Sequence, residues 1–425
     1  MKTCAWNRTS DGMSPSIRYG FWALMALTAL LYAGSVGIPF RIDDRMCLGL
    51  KPGIGSWDNW TALFREPYYI LPEAGIAQYY RPLPALLQKA QYALFDDTPV
   101  GYHLVNVGLH LINGWLVFRV ARLVVRRASG AYFAAACFLL HPLQTEVVNY
   151  ISHFTCLLSS TAMLSALLCY LLFRVKGETR WYFLSLLLSG AGMLSKESAL
   201  VIPLIFCWCE AVLPPDQARR SARQRVSGLA GYFLLLAVYL VLRRSLLGPG
   251  PGGLGSGEIG WLSLLTAGKG ILVYGRLILF PGQLHFFRAL AMEANPWRLP
   301  LLLPLVSALA AVVWIMSRRN RLPPALSLGF GWLAIGLLPV SGIKPLYMQP
   351  GVIYWAEHFL YFPLAGAALL AAGLGDGLAE GPTRRIVLLG AAVAACWTAL
   401  TLSQNLLWRD DVRFARKSVQ YEPRI

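Results

Sequence analysis

Arg41-Ile42-Asp43-Asp44-Arg45 places two carboxylates between two arginines, a few residues beyond the first long apolar run. At a membrane face an acid is partly desolvated yet still reaches water. Desolvation raises a carboxyl pKa and neighbouring cations lower it, so Asp43 or Asp44 is a candidate general base, against the simpler reading of a solvated helix end. Tyr79-Tyr80-Arg81-Pro82-Leu83 follows, with Trp57, Trp60, Tyr68 and Tyr69 upstream. Rings here fit an interfacial belt, but they can also stack on a sugar while the planar fork of Arg81 pairs with a phosphate.

His103, Asn106 and His110 fall at i, i+3 and i+7, and Glu146, Asn149 and His153 repeat that spacing after His141-Pro142. Polar groups within spans face a bundle interior, so interhelical hydrogen bonding accounts for the histidines and asparagines. Glu146 is ionisable at a helix end and is kept as a catalytic candidate. Three histidines and a glutamate do not have the ligand spacing of a standard zinc motif. Ser195-Lys196-Glu197-Ser198 and Glu357-His358 are charged interruptions of apolar sequence, where Lys196 could serve as a point charge for a phosphate or the pairs could simply end helices.

The elements that must position these groups are helices in a bilayer. Of 425 residues, 56% are hydrophobic and only 14% charged, and mean hydropathy is +0.51. Soluble domains carry about 25% charged residues, which excludes an ordinary soluble enzyme, a disordered scaffold and a solenoid. The net charge of +17 belongs to cytoplasmic loops and lipid headgroups, and without basic patches interleaved with aromatics it implies no nucleic-acid partner. Eight cysteines form no C-x-x-C pair and sit mostly in apolar runs, so no disulfide framework is expected.

A span takes roughly 20 mostly apolar residues. Eleven such segments occur, near 20–39, 102–121, 130–143, 146–173, 181–196, 198–213, 228–247, 300–317, 325–341, 357–378 and 386–403. With the N-terminus (1–19) cytoplasmic, the clusters Arg119/Arg122/Arg126/Arg127, Arg174/Lys176/Arg180, Arg219/Arg220/Arg223/Arg225, Arg318/Arg319/Arg321 and Arg384/Arg385 all fall inside. Counting 262–281 as a further span would put the last two clusters outside, so that segment is expected to lie at the outer surface. The reading is therefore an all-α polytopic membrane protein with one membrane domain over 20–403. It has a first outer loop at 40–101, a second at 248–299 opening with a Gly/Pro stretch, and a short outer tail at 404–425.

Taken in order, these motifs resemble the membrane portion of the transmembrane and tetratricopeptide-repeat O-mannosyltransferases, within the GT-C glycosyltransferases. Asp43-Asp44, Tyr80-Arg81-Pro82-Leu83, Tyr102-His103 with Asn106 and His110, His141-Pro142-Leu143-Gln144-Thr145-Glu146, Leu194-Ser195-Lys196-Glu197, Tyr274, Arg276, Pro281 and Leu284, Glu357 with Tyr361-Phe362-Pro363, and Gln404-Asn405 with Trp408-Arg409-Asp410 carry the likeness. The chain stops at Ile425 before any repeat, and Cys47 is the single cysteine of the first outer loop, which fits a bacterial relative in an inner membrane. Where relatives usually have Arg and Asp after the His-Pro motif, this chain has Phe154 and Cys156. Where an Arg usually follows the glutamate, it has His358.

What the resemblance implies is a GT-C-like bundle that moves mannose or another sugar from a polyprenyl-phosphate donor to a hydroxyl of a protein or glycan on the outer face, with inversion. Asp43 or Asp44 would be the base and Glu146 a further catalytic carboxylate. Arg81, Lys196 and Arg276 would contact the donor phosphate, and Tyr80, His103, His110, His141, Glu197, Glu357 and His358 would line the site. A monophosphate leaving group can be handled by cations alone, so no cofactor is favoured, with Mg²⁺ or Mn²⁺ on Asp43 and Asp44 as the alternative. The rival classes are a lipid-linked-sugar transporter and a non-catalytic assembly subunit. The polar groups cluster at outer helix ends and no internal symmetry is visible, unlike the paired halves of transporters.

Overall fold

A computed structural model describes residues 15–41, 43–45, 57–58, 60–68, 79–214, 220–248, 260–286, 288–344, 347–349, 352–377 and 384–422. Residues 1–14, Cys47, Tyr69, Arg219 and the Gly/Pro stretch after Gly248 lie outside them.

Apolar sequence in a bilayer must satisfy its backbone internally, and every expected span contains helix. The helices are α1 (Pro15–Tyr32), α2 (Pro82–Phe95), α3 (Pro99–Val124), α4 (Ala128–Leu140), α5 (Thr145–Asn149), α6 (Phe154–Lys176), α7 (Thr179–Met193) and α8 (Ile202–Val212). They continue as α9 (Ala222–Leu247), α10 (Trp261–Leu279), α11 (Leu303–Arg318), α12 (Pro324–Leu337), α13 (Tyr361–Asp376), α14 (Arg384–Arg409) and α15 (Asp411–Tyr421). Among the described residues, eight helical stretches are long and apolar enough to cross a membrane, and the stretches around α4 and α12 are apolar but shorter. Trp261–Leu279, expected to lie along the surface, is one of the eight.

The bundle has a buried centre and a lipid-facing rim. The stretches Ile151–Lys176, Glu357–Asp376 and Pro99–Val124 are the most enclosed, whereas Arg223–Leu247, Leu299–Arg318 and Val387–Arg409 are mostly exposed and carry Val241, Leu309 and Leu389 outward. Outward apolar side chains on a membrane protein face acyl chains, so their exposure costs nothing. Helices α12 and α13 approach most closely through glycine. A Cβ on Gly329 would lie 2.3 Å from the Leu370 nitrogen, and one on Gly373 would lie 2.2 Å from that of Leu326. Small residues at such contacts let dispersion act across the two backbones.

Two departures from the sequence reading bear on the site. The apolar run 146–173 is not one helix. Tyr150 adopts an extended conformation (φ −97°, ψ 114°), ending α5 before a 3₁₀ turn at Ile151–His153 leads into α6. The break is stabilised because Asn106 Nδ2, fully buried on α3, donates to the Val148 carbonyl (3.4 Å) and the Tyr150 carbonyl (3.1 Å). Backbone carbonyls freed inside a bundle must find such partners. The second departure is a small antiparallel sheet in an otherwise helical protein. Strand β1 (Arg288–Ala291) pairs with β3 (Val352–Trp355), which pairs with β2 (Tyr347–Gln349), and Arg288 stands opposite Trp355. The tail is also structured, because α14 runs to Arg409 and α15 follows after Asp410, whose side chain accepts from the Arg413 amide as an N-cap.

Candidate functional site

The first helix leaves the bundle through a 3₁₀ turn, Ala33–Gly37. Ser35 Oγ donates to Asn149 (2.5 Å), Asn149 to Asn405 (2.7 Å), and Asn405 to the Leu31 carbonyl (2.8 Å), tying α1, α5 and α14 together. The acidic pair follows at once. Asp44 is 2% exposed, and its carboxylate accepts from the Ser152 amide (2.7 Å), the Ser152 hydroxyl (2.5 Å) and the Arg41 amide (2.9 Å). Burial pushes its pKa up to about 6, against the lowering effect of those donors. Asp43 is half-buried and, among the described residues, is held by Tyr150, to whose hydroxyl its amide donates (3.0 Å). Burial raises the Asp43 carboxyl as well, and the Tyr150 hydroxyl partly opposes the rise.

The flanking arginines do not pair with these acids as their sequence position suggests. The Arg41 guanidinium bonds the Trp408 carbonyl (2.5 Å) and Asp411 (3.0 Å) and lies 4.1 Å above the Phe414 ring, so it clamps α15. Arg45 is exposed.

Arg81 meets Glu197 across 116 residues of sequence, with Nη2 2.6 Å and Nε 3.0 Å from the same carboxylate oxygen. It also stacks 4.1 Å above the Tyr79 ring. Burial opposes the Arg81 charge, but the Glu197 carboxylate more than offsets it and the pKa is raised. Arg81 is therefore engaged in a buried ion pair with Glu197. The charges of Arg81, Glu197 and Asp43 all reach the Tyr79 hydroxyl, so the two expected clusters border one space.

Glu146, on the one-turn α5, is 2% exposed, and its Oε1 lies 2.7 Å from His358 Nδ1 and 3.7 Å from His153 Nδ1. Among the described residues, its Oε2 has no hydrogen bond of good geometry. Lys196 contacts Cys156 Sγ (2.6 Å), and the charges of Lys196 and Arg288 both act on Glu146. Next to it Glu357 accepts from the His285 amide (2.9 Å) and Arg288 Nη2 (3.0 Å). A narrow crevice lies against Glu146, Glu357, His285, Gln404, Trp408, Phe414 and Lys417. Helix α15 roofs it, secured by Glu422 accepting from the Ala289 amide (3.1 Å) and by His285 stacking on Tyr421 (4.7 Å).

Several expected lining residues hydrogen-bond within the protein. His103 Nε2 bonds the Ile38 carbonyl (3.0 Å), His110 bonds the Tyr361 hydroxyl (2.9 Å) and the Leu139 carbonyl (3.3 Å), and His141 bonds the Ile278 carbonyl (3.0 Å). Tyr80 donates to the Phe64 carbonyl (3.0 Å). Arg276 is exposed on α10, two residues and so about 200° round the helix from Tyr274, whose hydroxyl bonds the Ala356 carbonyl. It is not brought to the cluster. The residues the sequence did not single out for the site are Ser152, Arg288, His285, Lys417 and Glu422. The length of the second outer segment hinted at His285 and Arg288 alone.

Residues 80–242 match the family model described as dolichyl-phosphate-mannose-protein mannosyltransferase. The stretch includes Arg81, Glu146, His153, Lys196 and Glu197. Among curated proteins, the protein O-mannosyl-transferase Tmtc1 of Drosophila melanogaster is 30% identical over 50% of this chain and 25% of its own length. Tmtc2 of the same organism is 31% identical over 42% of this chain and 20% of its own. The mouse protein O-mannosyl-transferase TMTC4 is 26% identical over 86% of this chain and 57% of its own. The chain thus spans only about a quarter of the first two relatives and just over half of the third. The crystal structure of ArnT from Cupriavidus metallidurans bound to undecaprenyl phosphate aligns with 96% of this chain and 78% of its own, at a TM-score of 0.50 and 12% identity. The chain has a GT-C fold and resembles the protein O-mannosyl-transferases. That likeness places Asp43 and Asp44 outside the matched family stretch, and Glu357 and His358 as well.

Proposed function

We propose that the protein is a membrane glycosyltransferase that moves a sugar from a polyprenyl-phosphate donor to a hydroxyl acceptor at the face where Asp43, Glu146 and Glu357 converge. The observation that carries this reading is the opening between Glu146, Glu357 and Lys417, bordered by buried ions and roofed by α15. A phosphate leaving group is stable as an anion, so the reaction calls for a base on the acceptor and cations at the departing oxygen. Lys196 and Lys417 supply the cations, whereas Arg288 is paired with Glu357 much as Arg81 is with Glu197. Arg81 is neutralised by Glu197 and instead fixes the first outer segment to the bundle.

Asp43 is the better candidate base of the acidic pair. The Asp44 oxygens are occupied by three donors, whereas among the described residues the Asp43 carboxylate has Tyr150 as its hydrogen-bond partner. The acceptor O–H proton passes to Asp43, the acceptor oxygen bonds the anomeric carbon, and the bond from that carbon to the phosphate oxygen breaks. One displacement without a covalent intermediate inverts the anomeric centre. The sugar, the acceptor, a bacterial inner membrane and an outward-facing site with the N-terminus inside are parts of the same proposal. The test is a screen of radiolabelled polyprenyl-phosphate mannose, glucose, arabinose and galactose with protein reconstituted in vesicles. The reading expects one carrier to lose its sugar in the presence of a hydroxyl acceptor. Sugar that crosses the vesicle still attached to its lipid would support transport instead.

A further inference from the structure

Glu146, His153 and His358 come from α5, from the 3₁₀ turn before α6 and from the turn before α13, yet one ligand atom of each lies within 4.8 Å of the others. Tetrahedral bonds of about 2.0–2.1 Å hold donor atoms roughly 3.4 Å apart, so the observed separations of 2.7 and 3.7 Å from Glu146 Oε1 bracket that spacing. Among the described residues, Glu146 Oε2 and His153 Nδ1 are buried without a hydrogen bond of good geometry, although the backbone at Glu357 and His358 interacts with the Glu146 carboxylate and that of Glu146 with the His153 ring. Burying polar atoms unpaired costs about 1–3 kcal/mol each, which a ligand common to both would recover. The two imidazoles are only 4.0 Å apart at their centroids.

We infer that Glu146, His153 and His358 form a site for a zinc-class divalent cation, with a fourth position left for water or an anion. Two histidines and one carboxylate leaving an open position are a donor set that suits zinc, whereas magnesium and calcium prefer oxygen ligands throughout. Lys196 and Arg288 act on the same glutamate and oppose a second cation there. Glu357 and Glu197 offset that charge, and an anion in the fourth position would complete the balance. The inference does not depend on the transfer reaction proposed above.

The experiment uses untagged full-length protein in detergent, stripped with chelator and titrated with Co²⁺. Wild type is expected to bind one equivalent, giving the intense visible absorption of four-coordinate cobalt, which Zn²⁺ then displaces. His153→Gln and His358→Gln should each lose the band, while Asp43→Asn should keep it. No saturable band in wild type, or a band that survives both histidine changes, would overturn the site. Should the histidine variants fail to fold, X-ray absorption of the wild-type zinc adduct decides. Two imidazole nitrogens with oxygen donors support the assignment, and sulfur ligation or oxygen alone contradicts it.

Discussion

Replacing the two aspartates separately by asparagine distinguishes a base from an anchor. Among the described residues Asp43 hydrogen-bonds Tyr150 alone, so Asp43→Asn should fold normally and lose the proton acceptor. General-base help is worth 10²–10⁴ in rate, and kcat should fall by about that factor with KM little changed. Asp44→Asn is different. Its one remaining oxygen can accept from Ser152, but its NH₂ then faces the Arg41 amide, donor against donor at the 2.9 Å now spanned by a hydrogen bond. An orphaned buried donor costs about 1–3 kcal/mol, so this variant should melt at lower temperature and loosen residues 41–45. The assays are initial rates of sugar transfer in vesicles and thermal unfolding in detergent, run on both variants. Wild-type transfer by Asp43→Asn, or lost transfer with unchanged melting in Asp44→Asn, would refute the division of roles.

Three further outcomes follow from the geometry. Because the base works ionised and burial raises the Asp43 carboxyl, kcat/KM should decline on the acid side as Asp43 takes up its proton, and Asp44→Asn, which removes a neighbouring acid pushed up to about 6, should move that limb. Arg81→Ala leaves the 6%-exposed Glu197 unpaired, a loss of about 3–5 kcal/mol, while changing both residues to methionine should recover much of it; thermal melts of the single and double variants read the difference. Arg41→Ala releases Asp411 and the Phe414 ring, so hydrogen exchange in Asp411–Tyr421 should accelerate while α13 stays protected.

The helices were legible because a bilayer leaves few ways to satisfy a backbone, and long apolar runs declare them directly. The break at Tyr150 was not legible. Residues 146–173 contain neither proline nor glycine, and the partner that satisfies the freed carbonyls, Asn106, comes from another helix. The charged positions Asp43, Asp44, Glu146, Lys196, Glu197 and Glu357 stood out as ions in apolar sequence, but their pairing did not. Nothing in the sequence pairs Arg81 with Glu197, which the fold brings against it. His153 and His358, more than 200 residues apart, have no spacing that reveals a common point. Arg288 and Lys417 lie in a strand and a terminal helix whose docking depends on tertiary packing, where hydropathy carries no information.

The most direct test of the central claim is where a donor phosphate sits. A polyprenyl phosphate bearing a photoreactive group next to the phosphate, irradiated with the reconstituted protein and mapped by mass spectrometry, should label residues around the opening, chiefly Leu284, Phe414 and Lys417. Unlabelled lipid should compete that labelling away. Labelling confined to the rim helices α9 and α11, with none at the opening, would contradict the account.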